Sequence, residues 1–240
     1  MVQQIDLKLR QMRLAGMARG WQTLNETKQV FELSLSEGLE ILLEREEEER
    51  KNNRFIRLIK GARFRYQASL EELIYEPSRG LNKALITDLA SCGYITRGAS
   101  VLISGATGCG KSFLASALGH QACLHGYSVI YFNTQKFMLR TKMARSDGSI
   151  LKYFDKIAKA SLLILDDFGL TRMEQQQQFD LMEIIEDRHG KASTIIASQL
   201  PVTNWFDVIS ETSIADAILD RLIHSSYRIE LKGESMRKKR

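Results

Sequence analysis

The sequence has 240 residues, 44% of them hydrophobic and 26% charged, and both fractions are near the averages of globular proteins. That length fits one α/β core with a smaller appendage. No apolar stretch approaches the ~20 residues that cross a bilayer and no secretory leader opens the chain, so we expect a cytoplasmic protein with no membrane segment. The net charge is +5, and residues 237–240 supply four positive charges, so the overall charge is weak support for binding a polyanion.

The three cysteines favour a reducing environment. Cys92, Cys109 and Cys123 are odd in number and lack the pairwise spacing of a zinc site or a disulfide framework. We therefore expect free thiols without a catalytic role.

Residues 1–76 have the apolar spacing of helices and predict a small all-α domain. Their apolar side chains recur at three- and four-residue steps, which places them on one face of a helix. The first stripe contains Ile5, Leu9, Met12, Leu14, Met17, Trp21 and Leu24, and the second contains Leu35, Leu39, Leu42 and Leu43. Pro77 and Gly80 break the pattern, because proline lacks a backbone N–H and glycine interrupts periodic structure. We place the domain boundary at residue 77.

Two groups of basic residues are candidates for DNA contact. The first group contains Arg50, Lys51, Arg54, Arg57, Lys60, Arg63 and Arg65, and Phe55, Phe64 and Tyr66 lie among them. The second contains Lys136, Arg140, Lys142 and Arg145. Such clusters suit contact with backbone phosphates, but solvated helix faces explain them equally well. The DNA-binding candidates are Arg50, Arg54, Arg57, Lys136, Arg140 and Arg145.

Residues 77–231 predict an α/β domain. Short β-branched runs alternate there with helical stretches, which is the pattern of a five-stranded parallel sheet flanked by helices. The predicted strands are residues 101–104, 129–133, 162–166, 194–198 and 227–231. The glutamine run 175–178 predicts the solvated start of a helix that continues through Ile185.

A phosphate-binding loop follows the first of these strands. Residues 105–112 match G-x-x-x-x-G-K-[ST] between an apolar strand and a helical stretch, the two flanks that the mechanism requires. Backbone N–H groups of such a loop point at phosphate oxygens. Lys111 would neutralise the β- and γ-phosphates and Ser112 would bind Mg²⁺; the alternative is a glycine-rich turn that matches by chance. The ATP-binding candidates are Gly105, Ala106, Thr107, Gly108, Cys109, Gly110, Lys111 and Ser112.

Two carboxylates end the third predicted strand. Four apolar residues precede Asp166 and Asp167, the pattern of a buried strand that delivers acids to the carboxyl edge of a sheet. We expect Asp166 to bind Mg²⁺ with Ser112, and Asp167 to act as general base for the attacking water. The alternative is that Asp167 caps a helix, or that it contacts the metal only indirectly through a direct ligand.

The order of these parts over residues 81–231 resembles the AAA+ ATPase family. The resemblance implies that Gln199, at the end of strand 194–198, orients the attacking water, although a solvated strand end is the plain alternative. It also implies that Arg221 is an arginine finger for a neighbouring subunit, unless it pairs with Asp220 or another helix carboxylate. The catalytic set is then Lys111, Asp167, Gln199 and Arg221.

The resemblance leaves two parts of such a site open. Residues 232–240 form a basic tail that is too short for the helical lid common in this family, and Arg237 is a partial substitute or simply part of that tail. The adenine base would lie near Leu89, Tyr94 and Ile95, side chains that core packing explains equally well.

The lidless domain, the paired aspartates, the opening helix at residues 8–18 and the final residues 233–238 resemble the IstB-like transposition helper ATPases, in the clade of the DnaC-type helicase loaders. The resemblance implies ATP hydrolysis with Mg²⁺, ATP-driven self-assembly on DNA, expected as a duplex, and a cognate transposase as partner. Many related ATPases carry glutamate at the position of Asp167, and the shorter reach of aspartate predicts slow hydrolysis unless the protein is assembled or stimulated. A replicative helicase loader is the alternative. A small-molecule kinase ranks last, because neither a substrate pocket nor an arginine-bearing lid is visible.

Overall fold

The computed structural model describes residues 2–236, and the chain divides into two compact units, Met1–Arg57 and Leu58–Arg240. The first unit is helical and the second contains one sheet flanked by helices. Arg237 and residues 238–240, the end of the basic tail, lie outside the described residues. Within residues 2–236, no helix combines the length and apolarity needed to span a membrane.

The first unit is built from helices α1 (Val2–Gln11), α2 (Ala15–Glu26) and the beginning of α3 (Leu35–Ala62). No side chain at the start of α2 caps it. Instead Glu46 of α3 accepts hydrogen bonds from the backbone N–H groups of Gly16 (2.8 Å) and Met17 (3.2 Å). These bonds satisfy N–H groups that a helix start leaves without partners. A side chain at residue 16 would run into the backbone of Arg45, so Gly16 permits this close approach.

The helical region ends earlier than the sequence pattern indicates. Helix α3 stops at Ala62, Arg63 has a left-handed φ of 58°, and residues 63–82 contain only short 3₁₀ turns. The ring of Phe64 lies 4.6 Å from that of His120, which belongs to the α/β unit. The division therefore falls between Arg57 and Leu58 and not at residue 77, because the segment after α3 packs on the α/β unit.

The α/β unit contains the five predicted strands in one parallel sheet. The strands are β1 (Ser100–Gly105), β2 (Val129–Asn133), β3 (Leu162–Phe168), β4 (Ser193–Ser198) and β5 (Ser226–Leu231), and their order is β2-β3-β4-β1-β5. The helices are α4 (Lys83–Ala90), α5 (Gly93–Thr96), α6 (Lys111–Leu124), α7 (Thr134–Ser146), α8 (Ile150–Ala158), α9 (Gln175–Arg188), α10 (Trp205–Ile209) and α11 (Thr212–Ile223). No helix follows β5 within the described residues.

The sheet places all its carboxyl ends at one edge. Strands β3 and β4 are almost wholly buried, because helices cover both faces, and this explains their continuous apolar runs. In a parallel sheet, ligands bind at the carboxyl ends of the strands. A register shift between Leu165 and Phe168 interrupts the pairing of β3 with β4. The two aspartates that the sequence singles out lie in this irregular stretch.

Candidate functional site

The loop from β1 to α6 is built by glycines in conformations that other residues rarely adopt. The φ angles of Gly105, Gly108 and Gly110 are 147°, 83° and 103°, a range in which a Cβ atom is strained. Gly110 immediately precedes α6, and no side chain caps that helix. The free N–H groups at a helix start favour anions, so the expected phosphate-binding geometry is present.

Lys111 is held inside this loop. Its ammonium group donates hydrogen bonds to the carbonyl oxygens of Gly105 and Ala106, both at 2.8 Å. The residue is only 6% exposed. The positive charge is thus kept where the loop would receive phosphate oxygens.

Ser112 and Asp166 meet as the sequence predicts. The Ser112 hydroxyl donates to Asp166 Oδ1 at 2.9 Å, and the fully buried carboxylate also accepts from the Tyr131 hydroxyl at 2.5 Å. The hydroxyl of Thr134 donates to the Asp166 carbonyl oxygen at 2.8 Å. Burial, and next the charge of Asp166, raise the pKa of Tyr131, so this hydroxyl remains a donor.

Asp167 lies beside Asp166 in an unusual backbone conformation. Its φ is 57°, within the irregular stretch of β3, and Asn133 Nδ2 donates to Asp167 Oδ2 at 2.9 Å. The helix-cap interpretation does not fit, because the next helix, α9, starts at Gln175 and Glu174 caps it. The Asp167 carboxylate instead lines the cavity next to the phosphate loop.

Arg65 reaches both carboxylates, which the sequence pattern did not indicate. One guanidinium nitrogen lies 2.8 Å from Asp167 Oδ2 and 3.3 Å from Asp166 Oδ2. Burial disfavours its charge, but Tyr66 and the two aspartates outweigh this effect and raise the pKa of Arg65. The basic group after residue 50 therefore includes one residue that belongs to the site. No local motif marks it, because its partners lie about a hundred residues later in the chain.

These donors fit a magnesium ion. No group of three or more His, Cys, Asp or Glu side chains that could together hold a metal ion occurs in the described part of the chain. Mg²⁺ in nucleotide sites, however, needs only one or two carboxylates beside phosphate and water oxygens. The guanidinium between Asp166 and Asp167 shows that a cation is accommodated there. Ser112 and Asp166 are the residues that would hold the metal.

Gln199 also reaches the phosphate loop. The hydroxyl of Thr107 donates to Gln199 Oε1 at 2.7 Å. The neighbouring Ser198 is buried, and its hydroxyl donates to the Phe168 carbonyl oxygen at 2.8 Å. Gln199 thus faces the loop as a polar group and does not simply end the strand in solvent.

A cavity of about 540 Å³ connects these groups to an apolar wall. Its polar end includes Lys111, Ser112, Asp167 and Gln199. The apolar wall includes Tyr66, Leu73, Ile74, Leu81 and Phe113. The three side chains proposed from the sequence for the base, Leu89, Tyr94 and Ile95, are instead buried in the core. The sequence missed the wall because the helical prediction for residues 1–76 gives no sign that residues 66–81 follow an irregular path beside the phosphate loop.

Residues after β5 contact the same loop. The backbone N–H of Met236 donates to the carbonyl oxygen of Gly108 at 2.9 Å, and Met236 lines the cavity. Arg79 is buried and donates to the Cys109 carbonyl oxygen at 2.8 Å, while its own carbonyl oxygen accepts from Lys232. The phosphate loop is therefore supported by one segment that precedes the first strand in the chain and by one that follows the last strand.

Arg221 forms its contacts away from this cavity. It pairs with Glu186 of α9 and donates to the Ala217 carbonyl oxygen at 2.8 Å. Within one chain this is the pairing with a helix carboxylate that the sequence left open. A role in a neighbouring subunit's site stays a prediction.

The DNA-binding candidates are all exposed but differ in the contacts that the structure gives them. Arg50 pairs with Glu46 at 2.7 Å, and Arg145 pairs with Asp180, whose side chain is 2% exposed. The guanidinium of Arg140 lies 5.4 Å from the ring centre of Phe132. Each of Arg54, Arg57, Lys136 and Arg140 is exposed. Arg145 is thus better explained as a structural ion pair than as a phosphate contact.

The sequence matches the family model of the IstB-like ATP-binding proteins over residues 7–240. Among its relatives is y4pL of Sinorhizobium fredii, described as an insertion sequence ATP-binding protein, which is 42% identical over 231 residues, or 96% of this chain and 94% of the relative. The ATP-binding protein described for insertion sequence IS1162 of Pseudomonas fluorescens is 42% identical over 202 residues, covering 84% of this chain and 87% of the relative.

Solved structures with a similar fold come from replication proteins. The DnaC helicase loader superposes with a TM-score of 0.61 at 22% identity, over 70% of this chain and 98% of that chain. The replication initiator DnaA, bound to AMPPCP and single-stranded DNA, gives 0.59 at 20% identity, over 72% of this chain and 52% of that chain. These likenesses establish the AAA+ fold.

Proposed function

This chain belongs to the IstB-like ATP-binding protein family and is a P-loop ATPase of the AAA+ fold, and we propose that it assists a transposase in moving an insertion sequence by ATP-driven assembly on DNA. The observation that carries the ATPase chemistry is the hydrogen bond from Ser112 to Asp166 at 2.9 Å. It joins the phosphate loop to the acidic strand, the two parts that together bind a metal-bound triphosphate in P-loop NTPases. The relatives described for insertion sequences support the link to transposition.

The loop residues bind and orient the triphosphate. Backbone N–H groups of residues 105–112 cradle the phosphates, and the start of α6 adds its positive end. Lys111 exchanges its two loop carbonyls for phosphate oxygens, which are stronger acceptors because they are charged. Mg²⁺, when bound, neutralises charge on the phosphates. Ser112 and Asp166 are the side chains that hold it.

Asp167 and Gln199 are the groups proposed to act on water. Both line the cavity beside Lys111 and Ser112. Asp167 accepts the proton of the attacking water, and Asn133 holds its carboxylate in place at 2.9 Å. Gln199, held by Thr107, orients the water through its side-chain amide. The adenine base packs against the apolar wall that includes Leu73 and Ile74.

Arg221 supplies the charge that a second subunit needs. A planar guanidinium suits the charge that develops on the γ-phosphate, and no residue of α11 lines the cavity of its own chain in the described residues. We propose that Arg221 leaves Glu186 and enters a neighbouring site when ATP is bound. ATP then favours assembly and hydrolysis reverses it.

The exposed basic residues provide the contact with DNA. Arg54, Arg57, Lys136 and Arg140 are exposed and suit backbone phosphates without reading sequence. We propose duplex DNA as the ligand, a transposase encoded by the same insertion sequence as the partner, and the cytoplasm, where thiols stay reduced, as the compartment. The free state of all three cysteines supports the last point.

The test measures nucleotide binding and assembly together. Wild-type protein should bind a fluorescent ATP analogue with Mg²⁺ and sediment as oligomers on random-sequence duplex DNA when ATP is present. Lys111→Ala should lose both properties, because the loop then lacks its charge, whereas Lys191→Ala removes an exposed lysine outside the cavity and should keep them. Tight nucleotide binding by Lys111→Ala would refute the site.

A helicase loader is the second candidate, on the basis of its fold. The two functions differ in the protein partner that each requires. Purified transposase should bind the ATP-assembled wild-type protein on DNA and should not bind the Lys111→Ala variant. Binding to a replicative helicase and not to the transposase would favour the loader.

A further inference from the structure

One cation already lies between the two aspartates of the site. The Arg65 guanidinium nitrogen Nη1 contacts Asp167 Oδ2 at 2.8 Å and Asp166 Oδ2 at 3.3 Å. Asp166 is fully buried, so two neighbouring carboxylates without a counter-charge would repel each other at a high cost in free energy. Arg65 provides that counter-charge in the nucleotide-free chain.

The segment that carries Arg65 is fastened at both neighbouring residues. The Phe64 ring packs against His120 of α6, with ring centres 4.6 Å apart. The Tyr66 ring lies 6.5 Å from that of Phe113 on the same helix. The guanidinium also lies 5.6 Å from the centre of the Tyr66 ring. These aromatic contacts set the backbone close to the phosphate loop, so that only the Arg65 side chain has to move to leave the carboxylates.

The position of this side chain conflicts with the loaded site. The carboxylate of Asp166 accepts from Ser112 through Oδ1 and from Arg65 through Oδ2. A metal held by Ser112 and Asp166 would bring two positive charges next to the guanidinium, and like charges this close disfavour each other. Metal and Arg65 cannot both keep full contact with the aspartates.

We propose that Arg65 takes the place of Mg²⁺ in the nucleotide-free chain, and that metal-bound ATP enters by displacing its guanidinium from Asp166 and Asp167. This inference rests on the proposed function, since it concerns the same site. Arg65 is here a positioning residue: it offsets the repulsion between the two carboxylates and keeps them aligned before the nucleotide arrives. It also sets the metal concentration at which the site fills.

The experiment compares metal affinity in wild type, Arg65→Gln and the matched control Lys60→Gln. Lys60 is an exposed basic residue five positions earlier. Mn²⁺ alone is titrated and followed by electron paramagnetic resonance, and a fluorescent ATP analogue is titrated at several Mg²⁺ concentrations. Without its competitor the site should bind Mn²⁺ about two- to fivefold more tightly in Arg65→Gln, a gain of the size of one partly exposed ion pair. Lys60→Gln should match wild type.

A second measurement, the melting temperature, shows whether the Arg65→Gln variant is folded. Mg²⁺ alone should raise the melting temperature of Arg65→Gln more than that of wild type, because the metal replaces the missing counter-charge. Arg65→Lys keeps a positive charge and should give a metal affinity between the two.

Two results would overturn the inference. One is a folded Arg65→Gln with unchanged or weaker Mn²⁺ affinity. The other is a loss of ATP affinity at constant ADP affinity, which would make Arg65 a γ-phosphate contact. If wild type binds no nucleotide at all, the proposed function fails, while the titration with Mn²⁺ alone still judges the role of Arg65.

Discussion

The side-chain amide of Asn133 donates a hydrogen bond to Asp167 Oδ2 at 2.9 Å. Asn133 ends β2 and its Cα pairs with that of Asp166 on β3, so the amide reaches the next carboxylate only because the backbone of Asp167 has a positive φ. The irregular stretch of β3 thus gives the two aspartates different environments. Asp166 is buried under Tyr131 and Ser112, and Asp167 faces the cavity.

Asp167→Asn should abolish turnover and keep nucleotide binding. The amide has the shape of the carboxylate but cannot accept the proton of the attacking water, so kcat should fall by about 10²- to 10⁴-fold. Phosphate release measured at saturating ATP checks the rate, and a fluorescent ATP analogue checks binding. Asp155→Asn, in an exposed ion pair of α8, is the control. Unchanged phosphate release by Asp167→Asn would remove Asp167 from the mechanism.

Arg221→Ala should bind ATP as well as wild type but hydrolyse it poorly in the assembled state. Loss of an arginine that acts across subunits costs about 10³-fold or more in kcat. Mixing Arg221→Ala with Lys111→Ala protein tests whether Arg221 acts on a neighbouring subunit, since each variant then offers the group that the other lacks. Recovery of ATP hydrolysis in the mixture supports action between subunits.

Glu186→Gln is the matched control for this arginine. It removes the carboxylate that holds Arg221 within its own chain and leaves the guanidinium intact. Its assembled ATPase rate should equal or exceed that of wild type. A rate for Arg221→Ala equal to that for Glu186→Gln would contradict the finger assignment.

The basic residues of α7 should separate into DNA contacts and structural pairs. Lys136→Gln and Arg140→Gln should each weaken duplex binding at every sequence and reduce the slope of log affinity against log salt by about one. Arg145→Gln should leave that slope unchanged but destabilise the fold by roughly 1–3 kcal/mol, because it removes the charged partner of the buried Asp180. Salt-dependent fluorescence anisotropy and urea unfolding measure the two effects. An unchanged slope in all three variants would place the DNA elsewhere.

Stability should fall below neutral pH because of His120. Burial lowers the pKa of this side chain, and its Nε2 atom is buried without a partner in the described structure. Since the folded pKa lies below the unfolded value of about 6.5, the full contribution to stability is present above that pH and is lost as pH falls through the folded pKa. His120→Leu should therefore lose less stability than wild type between about pH 7 and 5.5, measured by urea unfolding. The exposed His125 supplies the control, because His125→Leu should follow wild type.

Local patterns predicted the parts of the site that depend on neighbouring residues. The loop at 105–112 and the acidic end of β3 both carry their signal within a few positions, so Lys111, Ser112 and Asp166 could be assigned before the fold was known. Gln199 was proposed from the resemblance to the AAA+ family, and it lies beside the loop because parallel strands bring their carboxyl ends together.

Long-range contacts carried no such signal. Arg65 looked like one of several basic residues, and only the path of residues 63–66 along α6 brings it to the aspartates. The apolar wall at Leu73 and Ile74 was missed for the same reason, because irregular backbone shows no period from which a buried face can be read. The end of α3 at Ala62 was also missed, since no proline interrupts the sequence before Pro77.

Strand β1 lies in the sheet between β4 and β5, the two strands that come last in the chain. On the ribosome, the strand that leads into the phosphate loop is therefore synthesised long before either of its neighbours exists. One edge of β1 stays unpaired until translation has passed β4 at Ser198, and the other until it reaches Leu231. Pairings of such large sequence separation form slowly. A nascent chain of this protein should depend on chaperones during that interval, and a prematurely terminated product that lacks β5 should aggregate and not persist as a smaller folded ATPase.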